Sequence, residues 1–203
     1  MTQAIFQSTQ QAIHFSYIVT NMPPRSSGGL GEILDRMKLE ATGMREEREV
    51  STVCFAGLSE LDIRAQCAMV RSAVEKSLPP PESFALRSRW GYSMIRRGPG
   101  GSVISANYGD DRARSMRRLA LYLGTSFPNL SSRALLLIIA RVCGDCDQLI
   151  PTFRQIEQDC GTSRSTVERY EKVIKKRIRE LVNLGVNRLT PAFVRDGLVI
   201  EES

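Results

Sequence analysis

The sequence has little of what most enzyme chemistry uses: one His and one Trp in 203 residues, with five Cys. A Ser–His–Asp or Cys–His arrangement could draw only on His14, and no nucleophile-elbow pattern is present. The Gly-Lys-Ser/Thr ending of a phosphate loop is also missing, and Gly98-Pro99-Gly100-Gly101 does not replace it. These absences speak against an enzyme. Long hydrophobic runs are lacking too: the longest, 134–140, has seven residues, far short of the ~20 that cross a bilayer. No membrane association is therefore expected. The amino terminus has no basic start, and Gln3, Gln7, Gln10 and Gln11 break up its apolar residues, unlike a signal peptide. The cysteines are accordingly expected to be reduced thiols in a cytoplasmic protein. Cys143, Cys146 and Cys160 offer three of the four soft ligands that a structural zinc needs. A small buried thiol is the expected role of each, with no metal and no cofactor.

What is present is a 42% hydrophobic fraction, enough for a packed core, and a net charge of +6 with a pI near 9.3. A basic balance of this size admits an anionic partner. Punctuation by Pro and Gly divides the chain into an amino-terminal helical arm (1–51), a helical region with a basic Gly-rich loop (52–128) and a carboxy-terminal region (129–203). Periodicity predicts helices over 9–21 and 30–41, the second followed by a charged, exposed stretch, 44–50. Ser59-Glu60-Leu61-Asp62 has capping-box form and opens another, with Leu61, Ala65, Ala68, Met69, Ser72 and Ala73 on its apolar face. The proline triplet 79–81 ends it, and a short helix is expected over 82–90. The stretch 98–111 reads as a loop and 112–123 as helix. Strand-like alternation is confined to 102–106 and 198–200. The expected fold is all-α, or mainly so.

The informative stretch is 131–185. A helix over 132–142, apolar all round, is expected in the core. Thr152-Phe153-Arg154-Gln155 opens the next by a second capping box, with Phe153, Ile156 and Cys160 on one face. Gly161 ends it, since a residue without Cβ accepts positive φ. Ser163 is the expected N-cap of a third helix that buries Val167, Tyr170, Ile174, Ile178 and Leu181 and stops at Gly185.

Ile156, Gly161, the run Thr162-Ser163-Arg164-Ser165-Thr166-Val167 and Tyr170 resemble the helix-turn-helix of bacterial and phage regulators. In that pattern Ile156, Cys160, Gly161, Val167 and Tyr170 would hold the two helices together. Two residues depart from it: Glu157 stands where the pattern has Ala, and Thr162 replaces the usual aliphatic residue of the turn. The resemblance implies that the amino end of the third helix enters the major groove. Ser163, Arg164, Ser165, Arg169 and Lys172 would then face bases, and Arg154, Thr166, Lys175 and Lys176 phosphates.

A second basic region holds Arg87, Arg89, Arg96, Arg97, Arg112, Arg114, Arg117 and Arg118 against Asp110 and Asp111, with Trp90 and Tyr92 interleaved. Such a mixture suits phosphate contact or base stacking; as the bland reading, Trp90 is a core anchor and the arginines pair with carboxylates. More diffusely, the order of elements, from Gly57 through the Arg-Trp-Gly segment 89–91 to the terminal motif, is similar to prophage late-gene regulators of the Q-like antitermination kind. That similarity implies RNA polymerase as a partner beside duplex DNA, with the amino-terminal helices supplying polymerase contact or a homodimer interface. The competing readings are a protein-binding adaptor that never touches DNA and, further off, a site-specific recombinase.

Overall fold

A computed structural model describes residues 5–20, 58–97 and 103–200; the predicted helix 30–41, the stretch 44–50 and the loop head 98–101 lie outside them. The fold is mainly α-helical. Its elements are α1 (Thr9–Val19), α2 (Glu60–Lys76), α3 (Pro80–Trp90), β1 (Ser93–Arg97), β2 (Val103–Tyr108), α4 (Asp110–Gly124), α5 (Ser132–Cys143), a 3-10 turn (Asp147–Leu149), α6 (Phe153–Cys160) and α7 (Arg164–Arg195). They form two compact units, one made of 1–78 with 185–203 and the other of 79–184.

Helix starts follow local chemistry. In α2, Ser59 Oγ accepts from Asp62 N at 3.2 Å, while Asp62 Oδ2 accepts from Ser59 N at 3.0 Å. Those hydrogen bonds hold the Asp62 carboxyl below its ordinary pKa. Thr152 caps α6 by the same reciprocal pairing with Gln155, and Ser131 caps α5 by accepting from Ala134 N alone. The prolines end α2 as expected, yet α3 begins at Pro80 rather than 82, because proline is tolerated in a first turn whose N–H groups have no helical partner.

In the unit 1–78 with 185–203, α1 packs on α2. The buried face of α2 is Ile63, Cys67, Val70 and Val74, not the expected one: Leu61 is 78% and Met69 56% exposed. Both faces have helical spacing, and the larger, mostly β-branched set has won the core. The same unit corrects the carboxy-terminal stop. Helix α7 continues through Gly185 and Pro191 to Arg195, and the left-handed glycine that follows it is Gly197, with φ 70°. An interior Gly costs about 1 kcal/mol and an interior Pro about 3 kcal/mol. Full burial of Leu189 and Phe193, together with a 2.8 Å hydrogen bond between the Thr9 and Thr190 hydroxyls, offsets that cost. The strand-like 198–200 amounts to one parallel bridge, Phe6 to Val199.

In the unit 79–184, α3 packs on α4, α4 on α5, and α5 on α6, around Leu86, Leu119, Leu135, Ile138, Ile139 and Ile156. Part of the expected loop is an antiparallel hairpin: Ser93 pairs with Tyr108 and Ile95 with Ala106, with a bulge at Arg96/Arg97. Helix α4 then starts at Asp110, two residues early, with Asp110 and Asp111 placed favourably in its positive first turn.

Arg112 occupies the middle of this unit and is fully buried. Its Nε donates to Ser88 O at 2.9 Å and Nη1 to Asp145 Oδ2 at 2.7 Å and to Ser93 Oγ. Nη2 donates to the carbonyls of Arg89 and Cys143. All five guanidinium donors are thus used, mostly by carbonyls at the negative ends of α3 and α5. Gly91 is required by this packing: a Cβ there would lie 2.9 Å from Arg112 Cβ.

Candidate nucleic-acid interface

The surface of interest is built by α6, the turn 161–163 and the first half of α7. Ile156 and Val167 are fully buried, one from each helix. Tyr170, half-buried, meets Phe127 edge-on with ring centroids 5.8 Å apart. Gly161 adopts φ 63°, ψ 19°, the left-handed conformation in which its N–H still reaches Glu157 O at 2.9 Å. A Cβ there would meet no atom within 4 Å, so only backbone strain opposes substitution. Gly161→Ala is expected to cost about 1–2 kcal/mol, read as a lower urea midpoint with unchanged m-value.

Sequence reasoning missed two residues that hold this arrangement. Glu157, the departure from the Ala of the pattern, accepts from Arg164 N at 3.3 Å and so caps α7 from the preceding helix. Ser163 occupies the N-cap position, its carbonyl accepting from Val167 N at 3.0 Å, but its hydroxyl goes to Thr166 Oγ1 at 2.9 Å instead of to a backbone N–H. Arg141 of α5 is the second. It donates to Pro151 O at 2.9 Å, lies 3.9 Å over the Phe153 ring and pairs with Glu171 at 3.2 Å, joining α6 and α7 to the core. Nothing local in the sequence marks Arg141, because its partners come from two other segments, the start of α6 and α7.

The outward face carries the residues expected there. Ser163, Arg164, Ser165, Arg169 and Lys172 are exposed, as are Arg154, Lys175 and Lys176; Thr166 is half-buried. Ser165, Arg169, Lys172, Lys176 and Arg179 recur at helical spacing on the side opposite Val167, Ile174 and Ile178. Arg164 is engaged with Glu168 at 2.8 Å, an exposed pair that raises the guanidinium pKa and keeps it charged. Cys160 is half-buried rather than buried, as is Cys146, whose thiol donates to Gln148 Oε1 at 2.7 Å. Burial pushes the Cys143 thiol up to about 11. Among the described residues no group of three or more His, Cys, Asp and Glu could hold a metal ion.

The second basic region is not one surface. Trp90 is buried, and Arg87 is paired with Asp111, its Nε 3.1 Å from Oδ2. Arg89 reaches the carbonyl of Val142 at 3.5 Å, and Arg112 is the buried centre described above. Arg96 is exposed on β1, which Arg97 closes. Arg114, Arg117 and Arg118 are exposed on α4. No helix among the described residues is long and apolar enough to cross a membrane. No protein-family model and no curated protein matches the chain.

Proposed function

We propose that the chain is a sequence-specific, duplex DNA-binding regulator of transcription, with α6 braced against the backbone and the amino end of α7 in the major groove. The observation that carries this reading is the bend at Gly161. It leaves Ile156 and Val167 sealed inside while Ser163, Arg164, Ser165, Arg169 and Lys172 stand in solvent at a helix N-terminus. Guanidinium and hydroxyl groups there match the donor and acceptor pattern of base edges. Lys175, Lys176, Arg154 and Thr166 lie where phosphates would pass. RNA polymerase as second partner, a homodimer and an antitermination role belong to this proposal through the resemblance to prophage regulators.

A protein-binding adaptor is the second reading, favoured by the exposed apolar row Leu61, Ala65, Ala68 and Met69 of α2. Salt-titrated binding to a random-sequence duplex separates the two. Each phosphate neutralised by a Lys or Arg contributes about −0.9 to the slope of log K against log salt, so the three cationic phosphate candidates, Arg154, Lys175 and Lys176, give a slope of about −2.7. An adaptor gives no measurable duplex binding at any salt.

A further inference from the structure

The carboxylates around the bend have different duties. Glu157 of α6 caps α7, Asp159 of α6 pairs with Arg133 of α5 at 3.1 Å, and Glu171 of α7 pairs with Arg141 of α5 at 3.2 Å. Each of these joins two helices. Glu168 joins none. Its Oε1 accepts from Arg164 Nε at 2.8 Å, one turn back on the same helix, and it makes no other hydrogen bond or ion pair among the described residues. Exposed pairs of this kind add little to stability. A negative charge that does so little for the fold, on the end of the helix that is to meet a polyanion, calls for a role in recognition.

The local geometry says which base edge suits it. Glu157 holds the backbone of Arg164, and the Arg164 guanidinium carbon lies 5.7 Å from the centre of the Phe153 ring, so that side chain is kept on the α6 side of α7. Arg164, Glu168 and Lys172 form one row at four-residue spacing, with charges positive, negative, positive. Four residues of helix rise about 6 Å and stacked base pairs about 3.4 Å, so neighbours in the row reach base pairs one or two steps apart. A guanidinium suits O6 and N7 of guanine, which are both acceptors. A carboxylate only accepts, so it needs an amine, and N4 of cytosine supplies one. Adenine fits less well, because N7 beside its amine turns a lone pair toward the second carboxylate oxygen. Guanine and thymine offer acceptors there and repel it.

We propose that Glu168 is a specificity-determining residue that accepts from the exocyclic amine of a cytosine one or two base pairs from the guanine taken by Arg164, an assignment that rests on the reading of α7 given above. On other sequences the carboxylate stays with Arg164 and stands against the negative charge of the duplex. On the preferred site both partners are exchanged: Arg164 gives up Glu168 and forks onto guanine, and Glu168 takes the cytosine amine. Glu168 thus lowers affinity for DNA in general and restores it at one sequence, discriminating by repulsion as well as by contact.

The test is selection of bound fragments from a random duplex pool by the full chain, as wild type, Glu168→Gln and Glu168→Ala. Glu180→Gln is the control: it makes the same charge change on the same helix and breaks a similar local pair, with Arg177 at 3.0 Å. Neither Glu168 nor Glu180 is buried, and a thermal melt checks that each variant is folded. Glu168→Gln is expected to change one position of the consensus from cytosine to adenine, because a carboxamide matches N6 and N7 of adenine. Glu168→Ala is expected to leave that position without preference, and both variants to keep the rest. The ratio of affinities for the wild-type consensus and a random duplex is expected to fall about tenfold in both, while Glu180→Gln keeps the wild-type ratio. A Glu168→Gln consensus identical to that of wild type overturns the role of Glu168 and leaves the proposed function standing. So does a loss of preference spread over every position, or an equal fall in Glu180→Gln. A wild type that enriches no sequence defeats the sequence-specific function itself, and the role of Glu168 with it.

Discussion

Arg112→Met is expected to destabilise the protein by about 3–5 kcal/mol, the usual range when one partner of a buried ion pair is removed. Methionine fills much of the same space but donates no hydrogen bond. The carbonyls of Ser88, Arg89 and Cys143 and the Ser93 hydroxyl then lose their shared donor, and Asp145 loses its only ion pair among the described residues. Arg112→Lys keeps the charge with three donors in place of five, so it falls between methionine and wild type. Asp145→Asn costs less, since that side chain is 29% exposed and water can replace part of what is lost. Urea unfolding followed by the single tryptophan reads all three, because Trp90 is buried on the helix whose end carbonyls bind Arg112. A methionine variant within about 0.5 kcal/mol of wild type would mean that the cage is dispensable.

This arginine also marks where the sequence stops being informative. Helix starts at Ser59 and Thr152 are legible because a cap is written in four consecutive residues, and the bend at Gly161 is legible because one residue type tolerates it. The burial of Arg112 depends on carbonyls from α3 and α5 meeting at one point, and in the sequence it is one more arginine in a basic run. The apolar face of α2 is ambiguous for a related reason: two rows have helical spacing, and only the packing of α1 selects between them. Ser93-Met94-Ile95-Arg96-Arg97 carries no alternation that would mark it as β1; its pairing with β2 makes it a strand. The passage of α7 through Gly185 and Pro191 follows from contacts in a unit whose two parts are far apart along the chain. At the candidate interface, the exposed tip follows from helical phase and was readable, whereas the Arg141 clamp and the Glu157 cap arise from tertiary contacts.

The same distinction between local and tertiary partners ranks the residues at the tip of α7. Arg169 makes no ion pair among the described residues; its guanidinium sits 5.3 Å from the Tyr170 ring and is free to fork onto a guanine. Arg164 must first give up Glu168. Once a preferred duplex has been selected from a random pool, Arg169→Ala is expected to lose about 1–3 kcal/mol on it and little on unrelated duplexes. Arg164→Ala is expected to lose less than Arg169→Ala, because a contact of Arg164 with DNA would have to replace its pair with Glu168. Lys176→Ala, two turns farther on, should weaken selected and random duplexes by the same factor and reduce the salt slope by about 0.9. Fluorescence anisotropy on both duplexes at several salt concentrations resolves these effects. If Arg169→Ala and Lys176→Ala lower affinity equally on every sequence, α7 grips the backbone alone and specificity must come from another part of the chain.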